Sequence, residues 1–95
     1  MEPIGRRIKT LRGALEITQG AISKATGIKQ PRLSKIEQGH DVPSAEAIDK
    51  IAVALQRSGL DLVKGTDREG YYRAQRLTAE QEALSRRETR LEAAV

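Results

Sequence analysis

The chain has 95 residues and contains no cysteine, phenylalanine or tryptophan. This composition excludes disulfides, thiolate metal sites and cysteine nucleophiles, and the length allows one small core. Isoleucine, leucine, valine and alanine must build the interior, which favours packed helices over an aromatic-rich sheet. No apolar run is long enough to span a membrane and no signal-peptide pattern opens the chain, so we expect a cytoplasmic protein without a membrane partner.

The positive charge is concentrated in the first half of the chain. The formal net charge is +4, but residues 1–40 carry eight basic and three acidic side chains, a net charge of +5. Residues 65–95 carry six of each and are neutral. The basic half can attract a polyanion, although a basic face that is only solvated would have the same composition.

Two helices are predicted before residue 27. Pro3 suits the first turn of a helix, and an apolar stripe at spacings of three and four follows it, which predicts a first helix over about residues 3–15. The stripe consists of Ile4, Ile8, Leu11 and Leu15. Thr18 is a cap for a second helix over about 18–26, with Ile22 and Ala25 facing inward. Gly27 ends that helix, because glycine adopts positive φ without a Cβ clash.

The stretch "GIKQPRLSKIEQG" predicts a third helix over about residues 30–38. Proline is tolerated in a first helical turn, so Pro31 marks its beginning, and Gly39 ends it. Leu33 and Ile36 face inward in this helix, which leaves its polar side chains on the other surface. Ser44 is then the cap of a fourth helix, whose apolar stripe consists of Ile48, Ile51, Ala52 and Leu55.

The C-terminal third of the sequence leaves alternatives open. Residues 60–63 form either a helical turn or a short strand, which would need a partner strand such as one from a second copy. Residues 64–70 suggest a hinge, and a polar helix is predicted from about Tyr71. Its leucines at 77, 84 and 91 have heptad spacing, but the companion positions are Ala74, Gln81 and Glu88. A frayed helix, a dimeric coiled coil and a segment ordered by another protein all remain open.

Residues 11–55, "LRGALEITQGAISKATGIKQPRLSKIEQGHDVPSAEAIDKIAVAL", resemble the lambda repressor and Cro type helix-turn-helix family, also called the XRE family. The resemblance lies in Thr18-Gln19, Gly27-Ile28, Leu33 with Ile36, Glu37 with Gly39, Pro43-Ser44 and the stripe of the fourth helix. It implies an all-α, compact four-helix DNA-binding domain over residues 1–63. Residues 64–95 would then be a hinge and a C-terminal helical extension for dimerisation or partner binding.

The same resemblance implies a function and assigns several residues. It implies a transcriptional repressor that binds a palindromic double-stranded DNA operator as a homodimer, without a cofactor. An antitoxin that regulates its own operon and holds a toxin protein through its C-terminal segment is the alternative. Gln19 would contact a DNA phosphate with help from Thr18, and Arg12 and Glu37 would form a structural salt bridge.

The base-reading residues follow from the chemistry of the major groove. Gln30 can bond adenine, Arg32 or Lys35 can bond guanine, and Pro31 can contact a thymine methyl group. Lys29 and His40 are expected to contact phosphates. With no cysteine and no acidic cluster beside His40, we expect no metal site there. No nucleophile–base pair, paired carboxylates or phosphate-binding loop is present, so an enzyme is not expected. A pure protein-interaction module is a further alternative, and it predicts no DNA affinity.

The sequence also departs from the family pattern. The family usually has a small residue where Ser23 stands, a larger apolar residue at Thr26 and a capping serine or threonine at Lys29. Lys29 has no side-chain oxygen to accept a hydrogen bond, so the start of the third helix would depend on Gln30, on water or on the fixed φ of Pro31.

Overall fold

The structure is a computed structural model that describes residues 1–78. These residues form six helices in chain order: α1 (Ile4–Ala14), α2 (Gln19–Thr26), α3 (Gln30–Gln38), α4 (Ala45–Ala54), α5 (Gly59–Val63) and α6 (69–78). The expectation of an all-α fold is confirmed. Residues 1–78 contain no strand, and a single parallel bridge joins Glu2 to Thr66. None of the helices in this range is long and apolar enough to cross a membrane.

One core of aliphatic side chains holds the first five helices together. The side chains of α1, α3 and α4 that were predicted to face inward are buried, except at the end of the first stripe, where Leu11 is partly buried and Leu15 is 40% exposed. The largest fully buried aliphatic side chains are Ile8, Ile22, Leu33, Ile36, Ile48, Ile51, Leu55, Leu62 and Val63. Burying such side chains is the main source of stability in a domain of this size.

The inward position predicted for Ala25 is wrong. Ala25 is exposed, and the next residue, Thr26, is buried in its place. A buried hydroxyl needs hydrogen-bond partners. Thr26 has two, since its Oγ1 donates to the carbonyl of Ile22 at 2.7 Å and accepts from the amide of Ile28 at 3.1 Å. The turn between α2 and α3 is therefore held partly by a side chain that the apolar pattern did not reveal.

The predicted boundaries of α2 and α3 are confirmed within one residue, and so is the predicted start of α4 after Ser44. Thr18 and Ser44 cap α2 and α4 by accepting from amides three residues on, at 3.1 and 3.2 Å. Gly27 and Gly39 end α2 and α3 with φ of 78° and 81°, in the left-handed region that favours glycine. Local sequence signals therefore set both ends of α2, the end of α3 and the start of α4.

The strand alternative at residues 60–63 is wrong, because these residues belong to α5. Gly59, Leu62 and Val63 are buried while Leu60 is exposed, and spacings of three and four are helical. Ser58 caps this short helix by accepting from the amide of Asp61 at 3.1 Å. No partner strand is needed.

Residues 64–78, where the sequence suggests a hinge and a polar helix, pack on the rest of the domain. Thr66 is 1% exposed and Tyr72 is 4% exposed. Asp67 accepts from the amide of Ile4 at 2.9 Å and so caps α1, which has no cap of its own. The Tyr72 hydroxyl donates to Asp49 on α4 at 2.5 Å. Leu77 of the predicted heptad row is 57% exposed, and Leu84 and Leu91 lie outside the described residues.

Candidate nucleic-acid interface

The exposed side of α3 carries only neutral and basic side chains. Leu33, Ile36 and Glu37 are the buried side chains of this helix, and they anchor it to the core. The residues predicted to contact bases are all exposed, as is the preceding lysine: Lys29, Gln30, Pro31, Arg32 and Lys35. The single carboxylate of α3 belongs to Glu37, which is buried. The outer surface of α3 therefore suits a polyanion.

The start of α3 lacks a side-chain cap, as the lysine at position 29 led us to expect. Lys29 has the extended backbone of an N-cap residue, with φ −62° and ψ 139°, but its side chain makes no capping bond. Pro31 has no amide proton, and the amides of Arg32 and Leu33 both donate to the carbonyl of Lys29 at 3.0 Å. Anion binding at this end therefore depends mainly on side chains, with the amide of Gln30 as the nearest backbone donor.

The start of α2 lies beside the start of α3. An ideal Cβ at Gly20 would be 3.8 Å from Gln30 Oε1 and 3.9 Å from Thr18 Oγ1, so these two side chains flank the same glycine. Thr18 caps the amide of Ala21. The amides of Gln19 and Gly20 have no acceptor within residues 1–78, and such amides at a helix start suit an anion. Thr18, which is predicted to contact a phosphate, therefore lies beside Gln30, which is predicted to contact a base.

A buried carboxylate joins the first three helices. Glu37, whose side chain is 2% exposed, accepts from Arg12 Nε at 2.8 Å and from Arg12 Nη2 at 2.9 Å. Arg12 also donates to the carbonyl of Ile17 at 3.0 Å. Hydrogen bonding to Glu37 raises the pKa of Arg12, so the guanidinium stays charged. Glu37 also accepts from Gln19 Nε2 at 3.1 Å. The structure therefore brings Arg12 and Glu37 together and adds Gln19 to the pair.

Two further residues predicted to contact DNA lie on the outer surface of α3 and just after its end: Arg32 and His40. Arg32 Nε is 3.2 Å from Asp41 Oδ2, and both side chains are more than a third exposed. Exposed pairs of this kind contribute little, so Arg32 can leave Asp41 for a base at small cost. His40 is exposed, and its amide donates to the carbonyl of Lys35 at 2.8 Å, which closes the end of α3. His40 is thus at the opposite end of α3 from Gln30.

Sequence reasoning missed two features of this surface. The contact between Gln19 and Glu37 depends on how α2 packs on α3, so neither residue's neighbours in the sequence reveal it. The free amides of Gln19 and Gly20 follow from the cap at Thr18, which could have been used to find them. Over residues 1–78 no group of three potential metal ligands occurs. The exposed, basic surface of α3 is suited to binding a polyanion.

Comparisons with known proteins agree with this geometry. Residues 3–63 match the helix-turn-helix domain family. The crystal structure of the P22 c2 repressor protein in complex with a synthetic operator is similar to this structure, with a TM-score of 0.62 and 32% sequence identity. That alignment covers 68% of this chain and 98% of the repressor chain. No curated protein matches the chain significantly.

Proposed function

Because the chain belongs to the helix-turn-helix domain family, we propose that this DNA-binding, non-enzymatic regulator is a sequence-specific transcriptional repressor. The observation that carries the proposal is the outer surface of α3, which is exposed, basic and next to the free amides of α2. The similarity to a repressor solved with its operator supports double-stranded DNA as the ligand. A protein with this role acts in the cytoplasm, where bacterial and phage operators lie.

In this proposal α3 enters the major groove and four side chains read bases. Gln30 bonds the N6 and N7 edge of adenine, and Lys35 or Arg32 bonds O6 and N7 of guanine. Pro31 presents an apolar surface to a thymine methyl group. All four side chains are exposed at the surface of α3, and Arg32 exchanges its partner Asp41 for a base. Each specific contact contributes discrimination at one base pair.

A second set of groups holds α3 in register by contacting phosphates. Thr18, Gln19 and the amides of Gln19 and Gly20 contact one phosphate group at the start of α2. Lys29 and His40, at the two ends of α3, contact phosphates on either side of the groove. These contacts increase the affinity for all sequences alike, because every duplex presents the same backbone.

The proposed repressor acts as a homodimer, because three or four reading side chains give too little affinity alone. Two copies would place their α3 helices on half-sites about 34 Å apart. Leu60 on α5 and Leu77 on α6 are 50% and 57% exposed, and they line one shallow groove with Arg73 and Arg76. Covering such a surface with a second copy removes apolar area from water. The groove supports the proposal of a homodimer.

Selection of bound duplexes from a random DNA pool tests this function. The expected result is a palindromic consensus with two half-sites one helical turn apart. Sedimentation of the free protein should show a dimer, and Leu60→Asp should give a monomer that binds one half-site weakly. A pool without enrichment would contradict DNA reading by this chain. An enriched but asymmetric site would contradict the two-fold arrangement.

The antitoxin alternative keeps the same DNA surface and places a toxin protein on residues 60–95. Thr66 and Tyr72 in this segment are buried against the same chain, which favours the plain repressor for residues 64–78. Residues 79–95 lie outside the described residues. A monomer at all concentrations, with residual affinity for its operator, would favour a partner protein over a second copy.

A further inference from the structure

Glu37 has a third hydrogen-bond donor besides the two from Arg12. Its Oε1 accepts both from Arg12 Nη2 at 2.9 Å and from Gln19 Nε2 at 3.1 Å. The Glu37 side chain is almost completely buried, whereas Gln19 is half-buried at the start of α2. The carboxylate at the end of α3 therefore touches a side chain that the proposed function assigns to a phosphate.

The chemistry of this contact fixes the orientation of the glutamine amide. A carboxylate only accepts hydrogen bonds, so the NH₂ group of Gln19, not its oxygen, must face Glu37. The NH₂ group has two protons, and the contact with Glu37 uses one of them. The second proton remains for another acceptor. A phosphate oxygen is also acceptor-only, and it would be repelled by the amide oxygen of a glutamine turned the other way.

We propose that Glu37 is a positioning residue for DNA binding, which orients the Gln19 amide so that its second proton donates to a phosphate. The proposal rests on the proposed function. Holding one orientation in the free protein removes the cost of selecting it on binding. Arg12 takes part in the arrangement, because its guanidinium neutralises the Glu37 carboxylate, which would otherwise repel the phosphate. The ion pair thus has a role in binding besides joining α1 to α3.

A double-mutant cycle separates this role from a purely structural one. Glu37→Gln should weaken binding to every duplex by about threefold to tenfold, because the neutral side chain no longer fixes the Gln19 amide. In a Gln19→Ala background the same change should have no further effect on affinity. Equal losses in both backgrounds would overturn the proposal, because a structural effect of Glu37 does not depend on Gln19. Thermal unfolding of all four proteins checks that each is folded.

A measurement on the unaltered protein covers the case in which Glu37→Gln fails to fold. The side-chain NH₂ protons of Gln19 should exchange with solvent more slowly than those of Gln30, whose amide nitrogen has no acceptor within residues 1–78. Equal exchange rates would overturn the proposal.

If the unaltered protein binds no duplex, the proposed function itself fails. If Gln19→Ala leaves affinity unchanged while Gln30→Ala lowers it, the present inference and the phosphate contact of Gln19 fail, while base reading by α3 stands.

Discussion

Gly5 sets how closely α1 approaches α3. A Cβ at this position would overlap the carbonyl oxygen of Ile36 and approach the Cα of Glu37 to 3.0 Å. The obstacle is backbone, which cannot move aside as a flexible side chain can. This close approach also lets Arg12, two turns further along α1, reach Glu37. A single missing side chain thus contributes to the orientation of α3.

Gly5→Ala should therefore lower the free energy of unfolding by about 1–3 kcal/mol or more, because the added methyl group separates two packed helices. Gly13→Ala is the matched control in the same helix, since no atom lies within 4 Å of its Cβ position. The control should raise the free energy of unfolding by about 0.5–1 kcal/mol through backbone entropy. Urea unfolding measures both. Equal effects at the two positions would show that α1 does not need the close approach.

Tyr72 gives the fold a pH dependence at high pH. Burial raises the pKa of its hydroxyl above the ordinary value of about 10, because the charged phenolate is poorly solvated. The folded protein then holds this proton more tightly than the unfolded chain. Its contribution to stability is present below about pH 10 and is lost as the pH rises through the raised pKa.

Titration followed by tyrosinate absorbance should show one tyrosine ionising above the ordinary range, and Tyr72→Phe should remove that late step. Over the same pH range the unaltered protein should lose stability more steeply than Tyr72→Phe. The phenylalanine variant should itself be less stable at neutral pH, because Asp49 loses a hydrogen bond. A late step that persists in Tyr72→Phe would show that another group is responsible.

Among α2, α3 and α4, the start of α3 is the one without a side-chain cap. α2 and α4 have side-chain caps at Thr18 and Ser44, whereas Lys29 makes no capping bond. A serine at position 29 could accept from the amide of Arg32, since the backbone there already has the extended shape of an N-cap. We infer that Lys29 is present for its charge.

Lys29→Ser should raise the free energy of unfolding by about 1 kcal/mol and weaken DNA binding equally for all duplexes. Lys24→Ala is the control for charge, because Lys24 is an exposed lysine that does not stand at the N-cap of α3. It should leave stability nearly unchanged and reduce affinity less. Thermal unfolding and binding at fixed salt concentration test both effects. A loss of stability in Lys29→Ser would contradict the view that the cap position was free for improvement.

Helix boundaries were predictable wherever a capping side chain or a glycine with positive φ determines them. Thr18, Gly27, Gly39 and Ser44 act on amides or dihedral angles within a few residues, so the sequence alone locates both ends of α2, the end of α3 and the start of α4. Residues 60–63 were ambiguous because four residues are too few to distinguish helical from alternating burial. Ala25 was misplaced for a related reason: a buried threonine does not show in an apolar pattern.

At the scale of the whole molecule, residues 64–78 complete the domain although the family match ends at residue 63. Asp67 caps α1 from the other end of the chain, and the backbone of Glu2 pairs with the segment around Thr66. Tyr72 and Asp49 meet where α5 approaches α4, and a Cβ at Gly59 would overlap the Tyr72 hydroxyl. The sequence did not reveal this packing, because each contact joins residues far apart in the chain.

A chain that ends at residue 63 should therefore be less stable than one that ends at residue 78, by at least about 3 kcal/mol. The shorter chain lacks the buried Thr66 and Tyr72 side chains and the cap from Asp67. Thermal unfolding of the two chains gives the difference directly. Equal midpoints would contradict a structural role for residues 64–78 and would favour the hinge that the sequence suggests there.

The exposed surface of α3 was predictable in its location, but the contacts of its side chains were not. The pattern of buried and exposed positions in α3 indicated which side chains are exposed, and the structure has them exposed. The pairing of Arg32 with Asp41 and the bond from Gln19 to Glu37 depend on tertiary packing and charge geometry. The assignment of each side chain to a base or a phosphate remains a prediction for binding measurements.

The most direct test is the affinity of the unaltered protein, Gln30→Ala, Lys35→Ala and Gln19→Ala for every single-base-pair change in the selected operator. Gln30→Ala and Lys35→Ala should each lose about 1–3 kcal/mol and become indifferent to one particular base pair. Gln19→Ala should weaken binding to all sites equally and keep the full base preference. If all three variants weaken binding uniformly and retain the original preference, α3 does not read the bases and the central claim is wrong.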